Sequence, residues 1–184
     1  MKRLTTKELL AESFLELAEK KRIDRITISQ ITANCGLSQP TFYHHFKDKY
    51  DLIVWVYVRD VQQIMDRIDG DGAPWHDSLL TGAQYFAAKR DYVINALRHT
   101  SGHDSFLRHV QEVNIGLLVR EVRRKLMTER IPDLIMGQIK VYVYGTVQLM
   151  VEWLQSDMPV PAEEMAEICE KSLPEALQFY LDNP

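Results

Sequence analysis

Apolar residues recur through the chain at three- and four-residue spacings, the pattern of amphipathic helix. Leu10, Phe14, Leu17 and Ala18 fall on one stripe and predict a first helix over residues 6–22, with Lys20, Lys21 and Arg22 in its last turn. Cations there suit the negative end of the helix dipole. A second helix starts at Thr27, where Gln30 completes a T-x-x-Q capping box, and it turns Ile28 and Ile31 inward. Gly36 ends it, because a left-handed residue after the last turn costs glycine nothing. Leu37 anchors the turn, Ser38 caps a third helix over residues 39–45, and Pro40 sits in its first turn, where a missing N–H goes unnoticed. Asp48 then caps a fourth helix, which runs over residues 48–68 through Leu52, Ile53, Val56, Tyr57, Val61, Ile64, Met65 and Ile68.

A loop is predicted over residues 69–74, where two glycines and Pro74 follow one another. Beyond it the spacing predicts helices over residues 75–89, 92–97 and 106–127, with a looser stretch around Gly102. Residues 134–154 are apolar nearly all round, and Gly137 and Gly145 lie two turns apart among them. A helix of that kind must be covered on all sides. The expectation is a homodimer through residues 134–154 and 162–181, the latter kinked at Ser172-Leu-Pro174. The fold class is all-α, with about nine helices: a three-helix head in residues 1–50 and a helical regulatory and dimerisation domain in residues 51–184.

Composition changes this picture little. With 184 residues, 46% of them hydrophobic and 26% charged, the chain reads as a soluble globular protein with room for a core. The N-terminus lacks the features of a secretory signal, and the longest apolar run, residues 141–154, is short of a membrane span and bounded by Lys140 and Glu152. A cytoplasmic protein with no membrane partner is expected. Cys35 and Cys169 make neither a metal motif nor a disulfide framework and read as free thiols. Charge is more informative: the chain carries −4 in all, but residues 1–50 hold nine Lys/Arg against six Asp/Glu, so the remainder is acidic. A basic end on an acidic body suits a protein that meets phosphate with one face.

The third helix carries the chemistry that such a face needs. Phe42 and Phe46, four apart, point back toward the first two helices and leave Gln39, Thr41, Tyr43 and His44 outward. Glutamine can bond an adenine edge, threonine can offer a methyl to thymine and tyrosine can donate to phosphate. Each also has a plainer reading: Thr41 as a capping residue, Tyr43 as packing, His44 and His45 as surface groups. Lys49, in the first turn of the fourth helix, could hold a phosphate together with the backbone amides there. Caps, turn and short helix together make a helix-turn-helix.

The run TISQITANCGLSQPTFYHHFKDKYDL resembles the N-terminal signature of the tetracycline-repressor (TetR) family of bacterial regulators, through Gly36, Thr41, Tyr43, Phe46 and Lys49 together. The resemblance covers roughly residues 5–60. It implies an all-α homodimer that binds a palindromic double-stranded DNA operator under control of a small-molecule effector or protein co-regulator. It also implies DNA contacts at Thr27, Ser29, Gln39, Pro40, Thr41, Tyr43, His44, His45 and Lys49, with the cap Ser38 beside them. Cys35 and Thr32 depart from the usual small or aliphatic residues, Thr32 at some cost in stability. The spacing of Trp75, Leu79, Tyr85 and Tyr92 is similar to the body of the subgroup that includes the activator of dihydroxyacetone-kinase operons.

The effector is less legible. Trp75, Phe86, His103, Phe106 and Tyr142 are the candidate ligand-binding residues, with ordinary core packing as the competing reading. His99, His103 and His109 cluster, but Gly102 interrupts them and no carboxylate completes a site, so neither metal nor cofactor is expected. The cations Arg120, Arg123, Arg124, Lys125 and Arg130 read as a solvated helix face or a second nucleic-acid surface. Two functional classes stay open: a regulator, or a small-molecule-binding or enzymatic bundle whose helix-turn-helix is only structural. Against the second, no nucleophile, base and oxyanion set or phosphate-cradling loop can be assembled.

Overall fold

The computed structural model describes residues 4–71, 75–101, 105–127, 130–156 and 160–181, with the backbone alone over 62–71. Among the described residues the chain is all-α: α1 Thr6–Ala18, a 3-10 turn Ile23–Arg25, α2 Ile28–Asn34, α3 Gln39–His45, α4 Lys49–Asp71, α5 Trp75–Ala88, α6 Arg90–His99, α7 Phe106–Leu126, α8 Asp133–Gln155, α9 Ala162–Lys171 and α10 Glu175–Leu181. Ten helices rather than nine result because Pro174 separates α9 from α10, where a kink alone was expected. Two other boundaries move. α1 stops at Ala18, so Lys20, Lys21 and Arg22 lie past its end rather than in its last turn. α4 runs on to Asp71 through Gly70, where a loop was expected, since one glycine inside a long helix costs only about 1 kcal/mol.

The chain forms two compact units, residues 1–59 with 91–109 and residues 60–90 with 110–184. The first holds α1 to α3, the start of α4, α6 and the start of α7. Its core is Leu10, Phe14, Ile23, Ile26, Ile31, Phe42, Leu52, Ile53 and Val56, each at most 2% exposed. Edge-to-face rings extend it, Phe14 on Tyr92 and Phe106 on both Tyr57 and Tyr92. Polar seams join α1 to α2: the Ser13 hydroxyl donates to the Ile31 carbonyl, and Asn34 donates to Ser13 and Glu16. Thr32 is buried without loss, because its hydroxyl donates to the Ile28 carbonyl one turn back at 3.0 Å.

In the second unit α5 packs on α9 over Ala83, Met165 and Cys169, with Leu79, Leu149, Met150 and Trp153 around them. A larger cluster joins α7, α8 and α10 through Leu118, Val122, Ile139, Tyr142, Val143, Leu173 and Leu177. Glu121 is buried between Arg120 and Arg124, which ties two cations of the α7 run to a carboxylate. α8 is covered on one face only. Leu134, Val141 and Tyr144 remain 73%, 74% and 47% exposed, and Gly137 and Gly145 look onto open space. By length and composition alone α8 is apolar enough to cross a membrane, which corrects the expectation that no stretch is, although Lys140 lies within it and Ile139, Tyr142, Val143 and Leu154 belong to a packed core.

Candidate nucleic-acid interface

The helix-turn-helix is built by caps at both ends of its turn. Thr27 and Gln30 make the capping box of α2, each bonding the other's backbone N–H. Gly36 adopts φ +69°, and Leu37 N–H donates to the Thr32 carbonyl at 2.9 Å while Gly36 N–H donates to Ala33, the Schellman pattern. Ser38 then caps α3, its hydroxyl accepting from the Thr41 N–H and bonding the Thr41 hydroxyl.

Two phenylalanines seat α3 against the unit. Phe42 is fully buried, Phe46 is 2% exposed, and their rings lie 5.7 Å apart. Trp55 of α4 meets Phe46 edge-on, and the Lys7 ammonium and Arg59 guanidinium lie over this aromatic pair, with Arg59 also paired to Glu12 at 3.0 Å. The other face of α3 is turned outward as expected: Ser38, Gln39, Pro40, Tyr43 and His44 are exposed, and Thr41 and His45 half-buried. Thr27 and Ser29 are exposed at the start of α2. Around them Arg25 and Lys47 supply exposed positive charge.

Lys49 stands in the first turn of α4, as expected. Its ammonium donates to the carbonyls of Ile23, Asp24 and Ile26 at 2.9, 3.1 and 3.0 Å, and burial pulls its pKa below the usual lysine value against the opposing pull of Asp24. The amides at the start of α4 are occupied too: those of Tyr50 and Asp51 donate to Asp48, and that of Lys47 to Asp51. Sequence reasoning missed Asn95. From α6 its side chain accepts from the Ile23 N–H and donates to the carbonyls of Ala18 and Lys21. The signal was an asparagine among the buried Tyr92, Val93 and Ala96, a polar group placed where apolar ones pack.

Two family models match this chain. Residues 15–55 match the bacterial regulatory proteins of the tetR family, and residues 74–175, more than half of the chain, match a transcriptional regulator C-terminal region. The chain belongs to the TetR family of transcriptional regulators. Among curated relatives, this regulator is 24% identical over 84 residues to the HTH-type dhaKLM operon transcriptional activator DhaS of Lactococcus lactis, covering 46% of this chain and 44% of the relative. It is 36% identical over 75 residues to the HTH-type transcriptional regulator YxbF of Bacillus subtilis, covering 40% and 20%. The matched region thus spans less than half the length of either relative. Solved structures share the fold: the dihydroxyacetone kinase operon activator DhaS at TM-score 0.66 and 14% identity, covering 98% of this chain and all of that one, and a TetR regulator from Rhodococcus sp. RHA1 at TM-score 0.63 and 15% identity, covering 91% and 94%. The helix-turn-helix is therefore a DNA-binding element in a family of regulators.

The expected effector residues that the structure describes belong to both units. Phe106 is buried in the first unit between Tyr57 and Tyr92. Trp75 and Tyr142 share the larger cluster of the second unit, where the Tyr142 hydroxyl donates to the Cys169 carbonyl at 3.0 Å and burial pushes its pKa far up. Phe86 meets the ring of its neighbour Tyr85, whose hydroxyl donates to Asp60. His103 lies outside the described residues. His99 stands 3.9 Å from Asp24, and His109 bonds the Ser105 carbonyl through Nδ1. A groove of about 660 Å³ in the second unit is lined by His76, Glu163, Glu164, Glu167, Glu170 and Lys171, with Pro161 at its edge.

Proposed function

We propose that this regulator binds a palindromic operator as a homodimer, with α3 of each copy in successive major grooves and the uncovered face of α8 in the subunit interface. The observation that carries the dimer is that face: Leu134, Val141 and Tyr144 are exposed beside two glycines that would let a second helix approach closely. Ile168 of α9 and Phe179 of α10, 38% and 67% exposed, are further exposed apolar residues within the expected 162–181 segment. Large apolar side chains repeated along one exposed helix face are uncommon on a monomer. For DNA, the support is the outward set Gln39, Tyr43 and His44 with Thr27 and Ser29 near it, behind a buried phenylalanine pair. The DNA-reading part is residues 1–50, linked by α4 to a regulatory part that answers a small-molecule effector or a protein co-regulator in the cytoplasm. The similarity to DhaS, an activator by name, supports an activating role as readily as repression.

The test is selection of bound duplexes from a random pool with the purified full chain, alongside its mass in solution by light scattering. Recovery of a twofold-symmetric site, bound with affinity that falls steeply as salt rises, is the expected result. A monomer in solution, or recovery of no site, refutes the corresponding half of the reading.

A further inference from the structure

A ladder of rings leads from the exposed side of α3 into α4. Tyr43, 57% exposed, meets Phe42 edge-on with centroids 5.7 Å apart; Phe42 meets Phe46 at 5.7 Å, and Phe46 meets Trp55 of α4 at 5.8 Å. Phe42 and Phe46 are buried and four apart, so the ladder follows the inner face of α3 and crosses to α4 at Phe46, the C-cap of the helix.

Charge grips the far end of the ladder. Trp55 is half-buried, with the Lys7 ammonium 5.8 Å and the Arg59 guanidinium 5.5 Å from the centroid of its ring. Arg59, one turn along α4 from Trp55, is paired to Glu12 of α1 at 3.0 Å, and its side chain is only 16% exposed. Lys7 lies in the first turn of α1, where the helix dipole disfavours a cation, and its ammonium also stands 5.3 Å from the centroid of Phe46. A cation over an aromatic face is attracted by the ring quadrupole, so Lys7 and Arg59 both fix the indole and both tie it to α1.

Such a path matters because α3 is short: it has seven residues, and the side-chain bonds of its cap, between Ser38 and Thr41, are internal to it. Rings packed edge to face keep a preferred geometry, and a close-packed interior passes a shift on rather than absorbing it. A void at Trp55 lets Phe46 settle toward α4, moves Phe42 with it and re-aims the Tyr43 hydroxyl.

We propose that Trp55 is a positioning residue for DNA binding, held by Lys7 and Arg59 and acting on the Tyr43 hydroxyl through Phe46 and Phe42. This rests on the reading of α3 as the DNA-contacting helix, with Tyr43 as a donor to phosphate.

The experiment is a double-mutant cycle in the full chain with Trp55→Leu and Tyr43→Phe, on the duplex recovered by the selection above, at a temperature where each variant keeps its full helical signal. Tyr43→Phe retains the ring and removes the hydroxyl that is to be positioned. Trp55→Leu should therefore weaken binding about tenfold in the parent but less than about twofold in the Tyr43→Phe background, and Trp55→Phe, which keeps a ring against Phe46, should recover most of the affinity. A residue that only stabilises the fold would give equal losses in both backgrounds. If Trp55→Leu does not fold, Arg59→Met, which keeps the indole and removes one of its cations, carries the same cycle with a loss of about threefold in the parent alone. Equal losses in the two backgrounds, or undiminished affinity of Trp55→Leu, overturn the proposal while leaving DNA binding intact. Tyr43→Phe that binds as tightly as the parent overturns the contact Trp55 would serve. Failure of the parent chain to recover any duplex instead overturns the reading of α3 on which the proposal rests.

Discussion

At the level of single residues, the proposed DNA contacts on the exposed face of α3 divide by chemistry into groups suited to base edges and groups suited to phosphate. Gln39 is exposed one residue after the cap and can pair with an adenine edge, so Gln39→Ala should relax choice at one base pair by about 1–3 kcal/mol, measured by competition between site variants. Tyr43 is 57% exposed, and Tyr43→Phe should weaken binding to all sequences alike while shifting thermal stability by no more than about 0.5 kcal/mol. Gly36 tests the turn itself. A Cβ there would meet nothing within 4 Å, yet φ is +69°, so Gly36→Ala should cost about 1–2 kcal/mol through backbone conformation alone, by denaturant unfolding. Gly36→Asn should recover part of that loss. These residues were legible because caps, glycine turns and helix faces are set by neighbours close in sequence. The partners of Asn95 and Lys49 were not: they lie 72 to 77 and 23 to 26 positions away, and a polar residue among apolar ones signals burial without saying which distant backbone it meets.

Among the elements, α3 depends on its anchor rather than on its own length. Seven residues are too few to hold a helix in water, so burial of Phe42 supplies what hydrogen bonding cannot. Phe42→Ala should cost about 3–5 kcal/mol of stability in thermal or urea unfolding and remove DNA binding at any salt. The apolar periodicity gave the number and type of helices nearly correctly, since each amphipathic stripe faces a core. It erred at ends. α1 stops early because Ile23 is drawn into the core and Asn95 receives the chain there, whereas the cations of residues 20–22 had suggested a longer helix. α4 continues past its apolar stripe because helix, once nucleated, extends at little cost per residue.

For the molecule as a whole, the pattern of residues 134–154 had required cover on every side, and the single chain provides it for one. Placing a charge on the open side is the direct check: Val141→Glu with Leu134→Glu should leave the helical content of the chain unchanged and yield a monomer by light scattering, with site affinity reduced at least about a hundredfold. Effector chemistry was illegible for a different reason: Trp75 and Tyr142 line a packed cluster and Phe106 another, and aromatic residues at helical spacing look alike whether they face a ligand or a core. The open face of α8 has one more consequence, for dosage. If only pairs of chains bind the operator, then at low abundance the active species varies as the square of chain number, and doubling expression raises it about fourfold. A modest change in synthesis or proteolysis would then act as a sharp input to transcription, and a threshold would be written into the surface of one helix.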